Sequence, residues 1–141
     1  MCEEMVYHTP NGIIKKLGVF DGKRALVGDY SKASVYNTKI VLESLGIETI
    51  IVKSASEIID RIKAHEKFDL IITNKVYSSG ASGIELINEL NQIDGFKIPV
   101  VLHSISDEPE DAYIKLGFAG YLKKPVRQDE TIEILNKVLN Y

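Results

Sequence analysis

Four polar side chains that could act together each follow a short run of apolar residues: Asp29, Asn74, Ser104 and Lys124. Along the chain they are separated by 45, 30 and 20 residues. Carboxylates are ligands that Mg²⁺ prefers, and an ammonium group can pair with a carboxylate or donate to an amide oxygen. The chemistry open to these four groups therefore depends on whether the fold brings them to one place.

The apolar runs before these side chains belong to a repeated pattern in residues 23–141. Short β-branched runs alternate with helical patterns, and Gly, Pro, Asp or Ser marks each changeover. Parallel strands need helical crossovers, which this rhythm supplies. It predicts an α/β fold of the flavodoxin-like, doubly wound (βα)5 type, with a five-stranded parallel sheet in the order 2-1-3-4-5. The predicted strands lie at 24–27, 49–52, 69–74, 99–103 and 119–122.

The third predicted strand, 69–74, has consecutive apolar residues rather than an alternation, which favours a central position covered on both faces. In a doubly wound sheet, ligands and reactive groups lie at the carboxyl ends of the strands, near the point where the strand order reverses. The four polar side chains are therefore expected in one pocket. The residues at those ends are Gly28-Asp29, Asn74, His103-Ser104 and Lys123-Lys124.

Composition and charge narrow the range of functions. The 17 basic and 20 acidic residues give a net charge of −3, and 45% of the residues are hydrophobic, as in an ordinary globular protein. We expect no nucleic-acid partner, because there is no polybasic segment. No apolar stretch approaches the roughly 18–20 residues of a membrane span, so we expect a cytoplasmic protein without membrane contact. The single cysteine, Cys2, can form no intrachain disulfide.

The residues at the strand ends, taken in order, resemble the receiver domain of two-component response regulators, the CheY-like family, over about residues 23–141. In that family the first strand ends in paired acidic residues, the third in the phosphate-accepting Asp, the fourth in Thr or Ser, and the fifth in Lys-Pro. The resemblance implies the receiver fold and a role in phosphorelay signal transduction. The matching segments here are Val27-Gly28-Asp29, Ile72-Thr73-Asn74, Leu102-His103-Ser104 and Leu122-Lys123-Lys124-Pro125.

Two departures from the family pattern affect its chemistry. The resemblance implies that position 74 carries the nucleophile, but Asn74 is a neutral amide that cannot accept a phosphoryl group. Gly28 replaces one of the paired acids, which leaves Asp29 as a single carboxylate for Mg²⁺. We therefore expect a degenerate receiver, or pseudo-receiver: not an enzyme, not phosphorylated at the usual site, without a cofactor, and with weak or absent Mg²⁺ binding at Asp29.

The lysine of the pocket keeps its family-like position. Lys124 is expected to pair with Asp29 or to hydrogen-bond the amide oxygen of Asn74. The resemblance also implies a cis peptide bond at Lys124-Pro125, which orients the lysine toward the pocket.

Ser104 and Tyr121 match the switch pair of the family, in which the hydroxyl engages the phosphoryl group and the aromatic side chain turns inward. Without a phosphoryl group this coupling has no local trigger, so Tyr121 is expected to keep one position. Tyr121 would then form part of the surface of the fourth helix, fifth strand and fifth helix, where receivers commonly dimerise or bind partners. Phe118 either adds apolar area to that surface or packs in the core.

Other residues near the strands have structural explanations. Asp69 lies at the opposite end of the third strand, about 16 Å from Asn74 at about 3.3 Å per residue, and cannot replace it as the acceptor. His103 ends a buried strand, which favours a satisfied core histidine. The loop 75–83 is rich in serine and glycine, which favours a mobile segment or a partner contact. Residues 1–22 stand outside the alternation and form either a flexible tail or a small hairpin.

The expected function is signalling through protein–protein contact, with a histidine kinase or another receiver as the partner, or as a homodimer through the surface that holds Tyr121. Because the chain stops soon after the receiver pattern, we expect a stand-alone regulator or a receiver cut from a longer protein such as a hybrid kinase. Two alternatives remain open. The fold could bind a phosphate-bearing molecule such as FMN near Ser31 and Ser34. The second alternative is an active receiver with atypical chemistry, in which deamidation converts Asn74 to Asp.

Overall fold

The computed structural model describes residues 5–10, 12–77, 80–107 and 109–139. Within these ranges a two-stranded hairpin precedes five strands that alternate with five helices. The strands are β1 Val6–Thr9, β2 Gly12–Lys15, β3 Arg24–Gly28, β4 Glu48–Val52, β5 Leu70–Asn74, β6 Val100–Ser104 and β7 Gly120–Lys123. The helices are α1 Lys32–Ser44, α2 Ala55–Lys63, α3 Gly83–Asn91, α4 Glu110–Lys115 and α5 Gln128–Val138.

Strands β3 to β7 form one parallel sheet in the spatial order β4-β3-β5-β6-β7. Counted from β3 as the first strand, this is the order 2-1-3-4-5, so the predicted flavodoxin-like fold class is confirmed. Every residue of β5 is buried. The consecutive apolar residues within 69–74 do mark the central strand, because helices cover both faces of the sheet there.

Two apolar layers hold the helices against the sheet. Leu42 of α1 and Leu135 of α5 belong to the layer on one face, and Ile58 of α2 belongs to the layer on the other. Successive residues of β3 divide between the layers, with Val27 in the first and Leu26 in the second. Each fully buried aliphatic side chain stabilises the fold by about 1.5–3 kcal/mol relative to an exposed one. None of the helices in the described ranges is long and apolar enough to cross a bilayer.

Serine N-caps fix where the helices begin beside the strand ends. The Ser31 hydroxyl accepts a hydrogen bond from the Ser34 amide at 3.4 Å and caps α1, which begins four residues after the end of β3. The Ser82 hydroxyl accepts from the Glu85 amide at 3.1 Å and starts α3. Each cap satisfies an amide that the first helical turn leaves without a backbone partner. The first turn of α1 is thereby held next to the carboxyl end of β3.

The hairpin of β1 and β2 lies against α1 and α5. Its strands pair in an antiparallel register that sets Val6 opposite Lys15. The Leu17 amide donates to the Ser44 carbonyl at 2.8 Å, and Gln128 Nε2 donates to the Lys15 carbonyl at 2.7 Å. These bonds fasten the open end of the hairpin to the C-terminal end of α1 and the start of α5. Residues 1–4, which include Cys2, and residue 11 lie outside the described residues.

Candidate functional site

The carboxyl ends of the strands bring the predicted polar side chains to one edge of the sheet. In the parallel registers, Asn74 of β5 lies opposite His103 of β6, and Ser104 lies opposite Lys123 of β7. A backbone bond continues this alignment past the end of β7, since the Lys124 amide donates to the Ser104 carbonyl at 2.7 Å. The residues expected to share a pocket are therefore neighbours.

Asp29 is completely buried in this pocket. Its Oδ1 accepts hydrogen bonds from the Ser31 amide and from Asn74 Nδ2, both at 3.0 Å. Its Oδ2 accepts from the Ser34 hydroxyl and lies 3.1 Å from the Lys124 ammonium. Burial opposes the charged form, but the hydrogen bonds from Ser34, Ser31 and Asn74, together with the ammonium, hold the pKa of Asp29 below its usual value. Asp29 is therefore ionised at neutral pH, and both of its oxygens are occupied by donors of this chain.

Asn74 is buried and is oriented by Asp29. Because a carboxylate only accepts hydrogen bonds, the amide nitrogen faces it. The amide oxygen Oδ1 is left without a hydrogen-bond partner among the described residues. Of the two partners that the sequence left open for Lys124, the structure shows Asp29. The three side chains thus form a connected set that satisfies the carboxylate and the ammonium but not the amide oxygen.

Tyr77, in the loop after β5, is a pocket residue that the sequence pattern does not reveal. Its side chain is buried, and its hydroxyl is 2.7 Å from the Thr73 hydroxyl. Burial raises the pKa of Tyr77 to about 12, so the hydroxyl stays protonated. The serines and glycines of this loop favour a mobile segment or a partner contact, and one tyrosine among them gives no periodic signal. Ser78 and Ser79 of this loop lie outside the described residues.

Gly28 and Tyr77 share one space beside Asp29. A Cβ atom added at Gly28 would collide with the Tyr77 hydroxyl and would lie 2.7 Å from Ile58 Cδ1. Any larger residue at position 28 therefore requires Tyr77 to move. The sequence did carry a signal, since a glycine inside a strand often marks a close approach of another group.

The residues present at this edge do not fit a magnesium ion of the kind that the family resemblance implies. Mg²⁺ demands near-octahedral oxygen ligands, usually including one or two carboxylates. Gly28 offers no side-chain oxygen, Asn74 turns its nitrogen toward Asp29, and the oxygens of Asp29 are already engaged. Among the described residues, no group of three or more His, Cys, Asp or Glu side chains is placed to hold a metal ion.

His103 is completely buried beneath α1. Its Nε2 is 3.4 Å from the Thr38 hydroxyl, and its Nδ1 has no hydrogen-bond partner in the described part of the chain. Burial, assisted by the Lys124 ammonium, lowers the pKa of His103 to about 3, so the ring is neutral at pH 7. The sequence predicted a satisfied core histidine. The location is as predicted, but only one ring nitrogen is engaged, because the nearest carboxylate oxygen, on Asp29, is 3.9 Å from Nδ1.

Ser104 and Tyr121 are joined through the loop after β6. The Tyr121 hydroxyl donates to the Ser104 carbonyl at 3.1 Å and also contacts the Ser106 carbonyl. The Ser104 hydroxyl accepts from the Ser106 amide at 3.1 Å. The Tyr121 ring stacks on Tyr113 of α4 with 5.9 Å between centroids. The Lys124-Pro125 peptide bond is cis, as the resemblance implied.

Two other residues take purely structural positions. Phe118 was expected either on the surface of α4, β7 and α5 or in the core, and it is buried in the second apolar layer. It therefore adds no contact area to that surface, and its inclusion there was wrong, because the turn after α4 points the ring inward. Asp69 accepts a hydrogen bond from the Arg24 amide at 2.9 Å, at the end of the sheet opposite the pocket.

Comparison with known proteins identifies the family. The response regulator receiver domain matches residues 26–136. The chain belongs to this family. The receiver is 29% identical over 114 residues to the two-component response regulator-like APRR1 of Arabidopsis thaliana, an alignment that covers 79% of this chain and 18% of that protein. The chain thus spans less than a fifth of the length of this relative.

Solved structures share the fold of this receiver. The chemotaxis response regulator CheY4 of Vibrio cholerae has a TM-score of 0.72 and 21% identity, covering 83% of this chain and 98% of that one. A two-component response regulator from Clostridium difficile has a TM-score of 0.70 and 23% identity, covering 84% and 96%. Receiver domains are generally non-enzymatic signalling modules that interact with histidine kinases or other proteins in two-component systems.

Proposed function

We propose that this receiver is not phosphorylated at position 74 and signals through contact with a protein partner. The observation that carries the proposal is the Asn74 amide. It stands at the position of the family's phosphate acceptor, and its nitrogen donates a hydrogen bond to Asp29 at 3.0 Å. Acyl phosphate formation requires an anionic carboxylate oxygen as the nucleophile, and an amide has none.

We also propose that the pocket binds no Mg²⁺ and is held together by its own hydrogen bonds. Asp29 accepts from two neutral donors of α1 and its N-cap, from Asn74 and from Lys124. A metal ion would have to displace several of these bonds from a buried carboxylate. Tyr77 occupies the space that a second carboxylate at position 28 would need.

The surface formed by α4, β7 and α5 is the proposed contact region. Tyr121 is fixed there by bonds to the loop after β6 and by stacking on Tyr113. Ile114 of α4 and Leu116, which follows this helix, are exposed apolar side chains. Because no phosphoryl group reaches Ser104, this surface keeps one arrangement. The proposed partner is a histidine kinase or another receiver in the cytoplasm, or a second copy of this chain.

Phosphorylation can be tested by incubating the protein with acetyl phosphate and Mg²⁺ and measuring the intact mass. We expect no change in mass, while a receiver that retains the acceptor Asp gains one phosphoryl group under the same conditions. A gain of one phosphoryl group on this chain, mapped by peptide analysis to position 74, would overturn the proposal. The same spectra detect deamidation of Asn74 as a small mass increase before the phosphate donor is added.

Partner contact can be tested with a charge at position 121. We expect Tyr121→Glu to abolish self-association in sedimentation velocity, or binding to a purified candidate kinase or receiver. Tyr36→Glu, at an exposed tyrosine of α1, is the matched control and should bind like the unmodified protein. Equal binding by both variants would show that the surface of α4, β7 and α5 is not the contact region.

A further inference from the structure

A cleft of about 600 Å³ opens at the strand ends, and most of its lining has no role in the function proposed above. It lies between the first turns of α1 and the loops that follow β5, β6 and β7. Its volume falls in the range of about 300–1,000 Å³ that is usual for small-molecule sites. Asn74 and Lys124 reach it from the pocket already described.

Large apolar side chains surround the cleft. Tyr30, Val76 and Ile105 line it and remain 48%, 54% and 77% exposed. Pro125 and Val126 contribute a further apolar wall from the loop after β7. Single exposed apolar residues are common on protein surfaces, but a group around one concavity is typical of a binding site.

The N-terminal hairpin contributes to the same cleft. Pro10, which follows β1 at the tip of the hairpin, is one of the lining residues. The hairpin is anchored at its other end through Leu17 and Lys15, so its tip is directed along α1 toward the strand ends. These residues precede the stretch 26–136 that matches the receiver family. The cleft is therefore built partly from an element that the family pattern does not include.

Two unsatisfied acceptors lie just behind the lining of the cleft, where neighbouring side chains cover them. Asn37 and Asn74 both line it, both are buried, and each has an amide oxygen without a partner among the described residues. The orientation of Asn37 is fixed, because its nitrogen donates to the Val126 carbonyl at 3.0 Å. Buried acceptors are normally satisfied in folded proteins, so two beside one cleft point to a missing donor.

The charges on the inner side cancel. The buried Asp29 carboxylate is paired with the Lys124 ammonium at 3.1 Å, and His103 is neutral at pH 7. Lys75, the other lysine of the lining, is exposed. A charged ligand that enters the inner side would lose its hydration, and the buried charges there are already paired with each other. An uncharged molecule would not incur this loss.

We propose that the cleft binds a small, uncharged, largely apolar molecule that carries a hydrogen-bond donor. Its apolar body contacts Tyr30, Val76 and Ile105, and its donor satisfies the oxygen of Asn37 or Asn74 after the side chains that cover that oxygen move aside. This binding is separate from the protein contact proposed above, because it requires neither a partner nor the phosphorylation state of position 74. A ligand in this position could provide the input that the missing phosphoryl group provides in other receivers.

The proposal is tested with three small probes and the full chain. Naphthol is neutral and has a donor, methoxynaphthalene lacks the donor, and naphthoate carries a negative charge. Amide resonances are followed by two-dimensional NMR while each probe is titrated to about 1 mM. We expect naphthol to shift residues that line the cleft and to bind at least about fivefold more tightly than methoxynaphthalene, because only naphthol satisfies a buried acceptor.

A blocking variant and a matched control locate the binding. Ala33 is exposed in the first turn of α1 and lines the cleft, so Ala33→Trp fills the opening without displacing core atoms. Lys32→Trp adds the same side chain at the neighbouring exposed position, which does not line the cleft. We expect Ala33→Trp to lose naphthol binding and Lys32→Trp to retain it.

Three outcomes would overturn the proposal: no shifts at lining residues, equal naphthol binding by both tryptophan variants, or tighter binding of naphthoate than of naphthol. The last result would indicate an anion site instead. Phosphorylation is measured separately by intact mass, so the failure of either proposal is recognised without reference to the other.

Discussion

The two halves of the strand-end pocket have diverged from the receiver pattern to different extents. In the half near β3 and β5, which we call the acceptor half, both the nucleophile and one metal-binding acid are replaced. In the half near β6 and β7, which we call the switch half, the family-like residues and the cis peptide bond are kept. The acceptor half consists of Gly28, Asp29, Asn74 and Tyr77. The switch half consists of Ser104, Tyr121, Lys124 and Pro125.

The difference supports the proposal that the pocket architecture is kept here without the phosphoryl chemistry. The acceptor half has exchanged ligands for internal hydrogen bonds, since Asn74 and α1 now supply donors to Asp29. The switch half keeps Lys124 because a buried carboxylate still needs a counter-charge. Lys124 is therefore the contact that joins the two halves.

Breaking that contact has the largest expected effect on stability. Lys124→Met leaves the buried Asp29 carboxylate without its cation. We expect the free energy of unfolding to fall by about 3 kcal/mol, because an uncompensated buried charge is strongly unfavourable. Urea denaturation at pH 7 measures the change.

Lys123→Met is the matched control at the adjacent position. Lys123 pairs with Asp107 at 2.7 Å, but the two side chains are 49% and 87% exposed. An exposed pair contributes little, so the loss is expected to be much smaller than that of Lys124→Met. Equal losses for the two variants would mean that the Lys124 contact with Asp29 does not hold the halves together.

The next largest expected effect is a pH dependence of stability, which comes from the buried imidazole of His103. Its pKa is about 3 in the folded protein against 6.5 normally, so between these values the unfolded state binds a proton that the folded state does not. Stability is therefore full above about pH 6.5 and falls as the pH decreases, by about 1.4 kcal/mol per pH unit. Asp29 loses its own contribution only below its usual pKa of 3.8, outside the range from pH 7 to pH 5.

Comparing the unfolding free energies at pH 7 and pH 5 measures the contribution of His103 to stability. We expect a decrease of about 2 kcal/mol on going to pH 5 that is absent from His103→Leu. His8→Gln, in the hairpin, should retain the full decrease. If His103→Leu shows the same pH dependence as the unmodified protein, the histidine is not held neutral in the pocket.

A smaller effect is expected within the switch half. Tyr121→Phe removes the hydroxyl that donates to the Ser104 carbonyl at 3.1 Å, and should lower the free energy of unfolding by about 1 kcal/mol. Tyr36→Phe, at an exposed position, should change it by less than about 0.5 kcal/mol. Thermal or urea unfolding distinguishes the two. If Tyr121→Phe leaves the free energy of unfolding unchanged, the ring, and not the hydroxyl, fixes this residue.

The sequence predicted the strands and their order because the central strand has consecutive apolar residues and each changeover carries a turn or cap residue. It also predicted which side chains meet, since parallel strands end at a common edge. It did not predict that Ser31 and Ser34 would donate to Asp29, because they act through the geometry of the first turn of α1.

Tyr77 and Phe118 show where pattern reasoning fails. Tyr77 packs beside Gly28, which is nearly fifty positions away in the chain, and its burial depends on a loop conformation that no periodicity encodes. Phe118 follows a short helix, where one residue of rotation decides between the surface and the core. The cleft is a third case, because one of its walls comes from the tip of the hairpin at Pro10.

The central claim is that Gly28, Asn74 and Tyr77 together silence the acceptor half. Intact mass after incubation with acetyl phosphate and Mg²⁺ tests it most directly, with Asn74→Asp compared with the triple variant Gly28→Asp, Asn74→Asp, Tyr77→Ala. We predict that Asn74→Asp alone stays largely unmodified, because position 28 still lacks a carboxylate and Tyr77 still fills its space, while the triple variant gains one phosphoryl group. Equally complete phosphorylation of the single and triple variants would contradict the account.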